Sequence, residues 1–392
     1  MKSRIYSGSN SLILLVLFSI NFVTSGFGDD FSIPVENYPF AFPKDHGAHP
    51  DYRIEWWYLT GHLSGKNTSS DKKSHFGYQA TFFRVAQAKT GPGNNFLNNG
   101  QFFMAHMALS DIDGKKFYHE EKMNRDGWDA YSRTDYLHCR NGNWTLRQDP
   151  KMGYFSAQLN STIGSEIKLS FDLTSEKPPV IFGENGVSVK GAHPSARSLY
   201  ITFPKLFTKG KLELGENEYE ISGETWMDHE ISSSQLDDDQ IGWNWASIHL
   251  DSGKSIMVYM MRKKDGSKDP YSFFNLISSS LESVKQFSSK TFTWQTIRHW
   301  KSESTNSKYP VESVIQFLPP KSENEKLTGV PEKMILKPLL DFQEMESRIS
   351  DVQYWEGACE VLNGEGKKIG KAYVELTGYG NSLTPLLSPT RQ

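Results

Sequence analysis

Cysteine is almost missing from this chain: 392 residues carry only Cys139 and Cys359. That scarcity excludes a disulfide-stapled scaffold and any paired-cysteine metal motif. The two thiols either form one bond tying the halves of the chain together or stay free and buried. Basic runs are also lacking. The formal net charge is -3 and the pI about 6.4, so nothing marks a nucleic-acid partner. There is no His-Glu-x-x-His, no calcium-loop pattern and no Gly-x-Ser-x-Gly, nor a glycine-rich phosphate loop or dinucleotide fingerprint. No metal and no cofactor are therefore expected. Helical periodicity is nearly absent too. The stretch Pro331 to Ile349 is the longest with helical spacing, and Pro338 interrupts it.

Long apolar runs are lacking apart from one. Lys2 and Arg4 precede a mostly apolar segment from Leu12 to Val23, followed by small residues at Ser25, Gly26 and Gly28. That is the form of a secretory signal, too short and too interrupted to span a bilayer. Residues 1–28 are expected to be a signal peptide, the protein to be secreted or periplasmic, and the mature chain to hold no integral membrane segment. Three sequons, at Asn67, Asn143 and Asn160, matter only in a host that glycosylates its exports.

Aromatics are abundant: 24 Phe, 17 Tyr and 10 Trp. Rings suit half-buried pleated surfaces and apolar pockets. Stretches such as "EWWYLTGHLSG" from Glu55, "FGYQATFFRVA" from Phe76 and "GWNWASIHLDSG" from Gly242 end in Gly, Ser-Gly or Asp-Gly punctuation. They read as strands and hairpins, with Trp243 to Asp265 a pair joined at Asp251-Ser252-Gly253. "SIMVYMM" is apolar on both faces, with Ile256, Val258 and Met260 opposite Met257, Tyr259 and Met261. Two apolar faces fit a sandwich, or a barrel with a covered exterior.

Four stretches in order carry a resemblance. "FPKDHGAHPDYRIEWWYLTGHL" (42–63), "GYQATFFR" (77–84), "TWMDHEISSSQL…QIGWNW" (225–245) and "YWEGACEV…AYVELTGY" (354–379) resemble the AttH-like family of predicted secreted hydrolases. Carotenoid 1,2-hydratases (hydroxyneurosporene synthases) are more distantly similar. The resemblance spans nearly the whole mature chain. It implies an all-β fold of two tandem lipocalin-like β-barrel domains with few short helices, divided as 29–232 and 233–392. It also implies a hydrophobic small-molecule partner. The sequence departs from the hydratases at Ile231, where they carry tryptophan, and at Asn244, where the family often has aspartate.

The candidate chemistry centres on Thr225 to Glu230, "TWMDHE". In an extended strand Trp226, Asp228 and Glu230 face one side, and Met227 and His229 the other. One centre uses all three ionisable groups only if the chain bends there. Asp228, His229, Glu230 and Glu55 are the candidate catalytic groups, because a carboxyl or imidazole beside an apolar ligand can give or take a proton once burial tunes it. Trp226, Trp243, Trp245, His249, Trp57 and Tyr58 are the candidate ligand-binding residues, since ring faces stabilise a cation made by protonating an alkene. The competing structural reading is a buried hydrogen-bond network at a domain junction and, for Glu55, a buried salt bridge in a barrel wall. Asp237-Asp238-Asp239 reads as a solvated turn. Function then divides three ways: a cofactor-independent hydratase, isomerase or cyclase of an isoprenoid or polyene; a non-catalytic lipid carrier; or an ester hydrolase.

Overall fold

The computed structural model describes residues 31–86, 100–318, 327, 329–347, 349 and 353–380. The N-terminal apolar segment and nearly all of the loop expected at Lys89 to Gly100 lie outside the described residues.

The chain begins its first sheet with a meander, β1 (Ile54–Asn67), β2 (Lys73–Ala86), β3 (Gln101–Asp111) and β4 (Lys116–Arg125). Short strands follow at β5 (Ala130–Ser132), β6 (His138–Asn141) and β7 (Trp144–Gln148). The sheet is completed by β8 (Phe155–Ile163), β9 (Ile167–Ser175), β10 (Val180–Val189), β11 (Arg197–Leu214) and β12 (Asn217–Ser234). The spatial order is β4-β3-β2-β1-β12-β11-β9-β8-β7-β6-β5, with β10 on β11. β3 and β4 also contact β6 and β8, so the sheet curls into a nearly closed barrel. Closure suits a long twisted sheet because it hides the unpaired edges.

The second sheet starts at Gln240. It holds β13 (Gln240–Leu250), β14 (Ser255–Lys263), β15 (Phe273–Ile277), β16 (Val284–Ser288) and β17 (Phe292–Lys301). Then come β18 (Lys308–Phe317), β19 (Lys333–Pro338), β20 (Glu344–Met345), β21 (Tyr354–Asn363) and β22 (Lys368–Thr377). Their order is β16-β15-β14-β13-β22-β21-β19-β18-β17, a half-barrel with β20 on β21. Among the described residues the only helices are two three-residue 3-10 turns, Lys44–His46 and Ser289–Thr291. The helical spacing after Pro331 misleads: Met334 and Leu336 bury as alternate residues of β19 between β18 and β21. Pairing across the sheet overrides a weak local signal. No helix among the described residues is long and apolar enough to cross a membrane.

Burial patterns explain where the strands lie. β9 alternates buried and exposed along its whole length, as a wall with core on one side and solvent on the other does. β1 is buried at eight consecutive positions from Ile54, because it has a domain on each side. Its Trp57, Leu59 and Leu63 join the core of the first barrel. Its Ile54, Trp56 and Tyr58 join a separate cluster with Trp243, Trp245, Met257 and Tyr259 of the second domain. β14 divides the same way, with Ile256, Val258 and Met260 inward and Met257, Tyr259 and Met261 toward the first domain. The two barrel-like domains thus share a third apolar core at their junction. Cys139 belongs to the first barrel's core and Cys359 to the second's, both free, so they form no bond.

Candidate functional site

Strand pairing brings "TWMDHE" against β1, with Tyr58 opposite Asp228, Trp57 opposite His229 and Trp56 opposite Glu230. The ladder has no bulge there, so alternation holds. Asp228 and Glu230 point to the junction between the domains, and His229 points into the first barrel. The structure therefore separates the candidate catalytic groups into two sites on opposite faces of one wall.

The junction site is a cavity of about 80 Å³. β1 and β2 supply Trp56, Tyr58 and Phe83, and β11 and β12 supply Tyr200, Asp228 and Glu230. The second domain closes it with Trp243, Trp245, Tyr259, Tyr354, Glu356 and Glu375. Four carboxyl groups thus meet rings from both domains.

Asp228 is held by three donors. The Tyr200 hydroxyl donates to Oδ2 at 2.6 Å, and the Thr202 hydroxyl and Trp226 Nε1–H donate to Oδ1 at 2.8 and 2.7 Å. Burial pushes its pKa up to about 7; those donors resist the shift and the neighbouring Glu230 adds to it. Two residues on, Glu230 meets a different environment. Lys190 Nζ lies 3.1 Å from its Oε2, and the Ser198 hydroxyl donates to the same oxygen at 2.5 Å. Lys190 is itself fully buried, caged over the rings of Tyr200 and Tyr259 at 4.5 and 4.1 Å. Burial lowers the Lys190 pKa, and Glu230 opposes that loss.

On the far wall Glu356 and Glu375 are cross-strand neighbours on β21 and β22. Burial, and then Glu375, hold Glu356 well above the usual carboxylate range, against a hydrogen bond from Tyr58. Burial lifts the partly exposed Glu375 to about 8, with Trp243 opposing and Glu230 and Asp228 assisting. Glu356 Oε2 and the Tyr259 hydroxyl are buried with no protein partner among the described residues. A buried polar atom left unpaired is costly, so such atoms mark where a ligand group or water is accommodated. The cavity combines protonated acids near neutral pH with ring faces, the requirements for moving a proton onto an apolar molecule.

His229 belongs to the second site. Its Nε2 lies 2.8 Å from Glu55 Oε1, and His49 Nδ1 lies 2.8 Å from the same oxygen. Arg84 Nε donates to Glu55 Oε2 at 3.0 Å, and Asp45 Oδ1 is 3.2 Å from His49 Nε2. Burial alone would raise Glu55, yet His49, His229 and Arg84 hold it well below the usual range. Burial likewise works against charge on His49, but Glu55 and Asp45 lift it to about 9. His229 is lowered by burial and stacks on Trp57 with ring centroids 4.7 Å apart. Glu55, His49 and His229 offer three ligand atoms within 4.8 Å. Glu55 is already saturated by the guanidinium and two rings at hydrogen-bond distance, so the cluster fits a buried ion network better than a metal. Trp57 lies in the same core, with its Nε1–H on the His46 carbonyl at 2.9 Å.

Of the other expected ligand-binding residues, Trp243, Trp245 and Tyr58 line the junction cavity, and Trp226 stands behind Asp228. His249 does not reach it. It lines a smaller recess with His62, Glu224 and Lys371, and its Nε2–H donates to the Pro204 carbonyl at 2.7 Å. Asp237 is no solvated turn residue: it is 9% exposed and accepts the main-chain N–H groups of Ala192 and His193. Sequence reasoning missed Glu356, Glu375, Tyr200, Lys190 and Tyr259. Glu356 carried a usable signal, an acid on a strand buried on both faces.

A sequence model of the AttH-like family matches residues 33–379. A crystal structure described as an AttH protein of Nitrosomonas europaea is 32% identical, covers 89% of this chain and all of its own, and superposes with a TM-score of 0.74. Kievitone hydratase of Nectria haematococca shares the fold at 13% identity and a TM-score of 0.62, over 90% of this chain and 97% of its own. CghA, solved with Sch210972, is 12% identical with a TM-score of 0.50 over the same shares. No curated protein matches in sequence.

Proposed function

Because the chain belongs to the AttH-like family, we propose that its junction cavity is an acid–base site for an apolar, unsaturated ligand, one that hydrates, isomerises or cyclises an isoprenoid or polyene without a cofactor. The observation that carries this reading is Asp228, raised by burial to about pKa 7 against the pull of three donors, and facing rings and two further raised carboxyls across one cavity. Its carboxyl gives a proton to one alkene carbon, the π electrons forming the new C–H bond. The neighbouring carbon becomes cationic against the faces of Trp243, Trp245 and Tyr259. For hydration, water adds to that carbon and its surplus proton returns to the Asp228 carboxylate. For isomerisation, the proton instead leaves an adjacent carbon. Glu356 and Glu375, neutral near pH 7, donate hydrogen bonds that orient the water. Glu230, held by Lys190, supplies the negative charge that keeps Asp228 from ionising early.

Kievitone hydratase shares the fold, and a fold that carries a hydratase elsewhere is in keeping with hydration as one of the proposed reactions. An ester hydrolase has less support. The hydroxyls of Ser232, Ser233 and Ser234 each donate to a main-chain carbonyl, where an activated nucleophile would donate to a base. Export of the protein is proposed from the N-terminal segment only.

Native mass spectrometry after incubation with a panel of polyenes tests the reading. The wild type should release a ligand heavier by one water or isomeric, and Asp228→Asn should hold the same ligand unchanged. Ligand bound but never altered by the wild type would make the protein a carrier. Labelling of a serine by a phosphonate would make it a hydrolase.

A further inference from the structure

Away from the junction cavity, both domains build a further recess. A groove of about 460 Å³ opens between β4 and the segments around Glu303 and Glu344. Its lining combines the rings of Phe117, Trp300 and Phe342 with the carboxylates of Glu303, Glu344 and Glu346, and His119, Ser302 and Ser304 complete it. Two of the rings are backed by others. Trp300 stacks on Tyr309 at 6.3 Å and Phe117 on His119 at 5.6 Å, while Phe342 stays 42% exposed.

Glu344 is 4% exposed. Its Oε1 accepts the hydroxyls of Thr305 and Tyr309 at 2.7 and 2.8 Å. Its Oε2 is buried and has no protein partner among the described residues. Glu346 accepts the Ser304 hydroxyl. The described ion pairs include no cation for any of the three acids, and the neighbouring Arg298 is committed to Glu312 and Asp341. A buried carboxylate with an idle oxygen, two more acids and fixed ring faces together ask for positive charge.

The shape of that charge is constrained. Among the described residues only His49, Glu55 and His229 bring three ligand atoms within 4.8 Å of one another, so these acids do not converge on a point as metal ligands do. A cation spread over several carbons, lying on a ring with acids at its margin, fits instead. We propose that this groove binds an organic ammonium ion, seated on Trp300 and Phe342 and neutralised by Glu344 with Glu303 and Glu346.

Calorimetric titration of the full chain with choline and with its uncharged carbon isostere, 3,3-dimethylbutan-1-ol, tests this. Choline should bind saturably, and the isostere about tenfold or more weakly, the difference one desolvated cation–ring contact makes. Trp300→Ala and Glu344→Gln should each weaken choline about tenfold. The double variant Glu303→Gln, Glu346→Gln alters more exposed side chains and should weaken it while leaving the thermal transition in place, which guards against misfolding as the cause. Absence of saturable choline binding would overturn the proposal. So would equal binding of the isostere, undiminished binding by Glu344→Gln and the double variant, or displacement of choline by stoichiometric calcium.

Discussion

Asp228 and His229 are adjacent, yet they do opposite things because a strand turns neighbours to opposite faces. Asp228 is raised by burial to about 7, and His229 is kept neutral beside an ionised Glu55. Asp228→Asn should reduce turnover by about 10²–10⁴, the usual worth of a general acid. It should also change how stability depends on pH. A carboxyl whose folded pKa is raised favours folding in its protonated form, so its contribution is intact below about pH 4 and is lost as pH rises toward 7. Chemical denaturation should find Asp228→Asn more stable than wild type at pH 8 by roughly 1–4 kcal/mol, and little different at pH 4. Lys190→Met makes the contrasting test. It strands the buried Glu230 without its counter-charge, which should cost about 3–5 kcal/mol. A denaturation midpoint unmoved by this substitution would contradict that role for Lys190.

At the scale of elements, β1, β12 and β14 carry the design, each with one face for its own barrel and one for the junction. That division was legible in the sequence, since Met227 and Trp226, or Val258 and Tyr259, alternate between two apolar faces. The hairpin at Asp251-Ser252-Gly253 was legible as well, with Gly253 at φ +85° in the turn. The far wall of the cavity was not. Glu356 and Glu375 come from β21 and β22, long after Asp228 in the chain, and only the packing of one barrel on the other makes them neighbours. Gly242 tests how finely that wall is set. It lies at the register shift near the start of β13, just before Trp243, with φ +153°, and an added Cβ would come within 2.5 Å of the Thr377 carbonyl. Gly242→Ala should lower stability by about 1–3 kcal/mol and displace Trp243 from the cavity, visible as a changed tryptophan emission.

The whole molecule holds together through the apolar cluster shared by both domains and through cross-domain bonds such as Tyr58 to Glu356 and Lys371 to Glu224, 2.9 Å apart. Neither barrel buries its junction face alone, so heating should give one cooperative transition, and two resolved transitions would contradict a shared core. The pH optimum of stability follows from opposing groups. Glu55 and Glu224 are held low, and their contribution is lost as pH falls below the usual carboxylate pKa. His49 is raised to about 9, so its contribution is complete below pH 6.5 and gone above 9, and Asp228 is lost over a lower range. Stability should therefore peak on the acid side of neutrality. The most direct test of the central claim is turnover of a reactive polyene in D₂O, followed by mass spectrometry. The product should carry one new carbon-bound deuterium and form at a rate that falls as pH rises through about 7 and is nearly abolished in Asp228→Asn. Polyene recovered without deuterium and without added water at every pH, from protein that binds it, would contradict it.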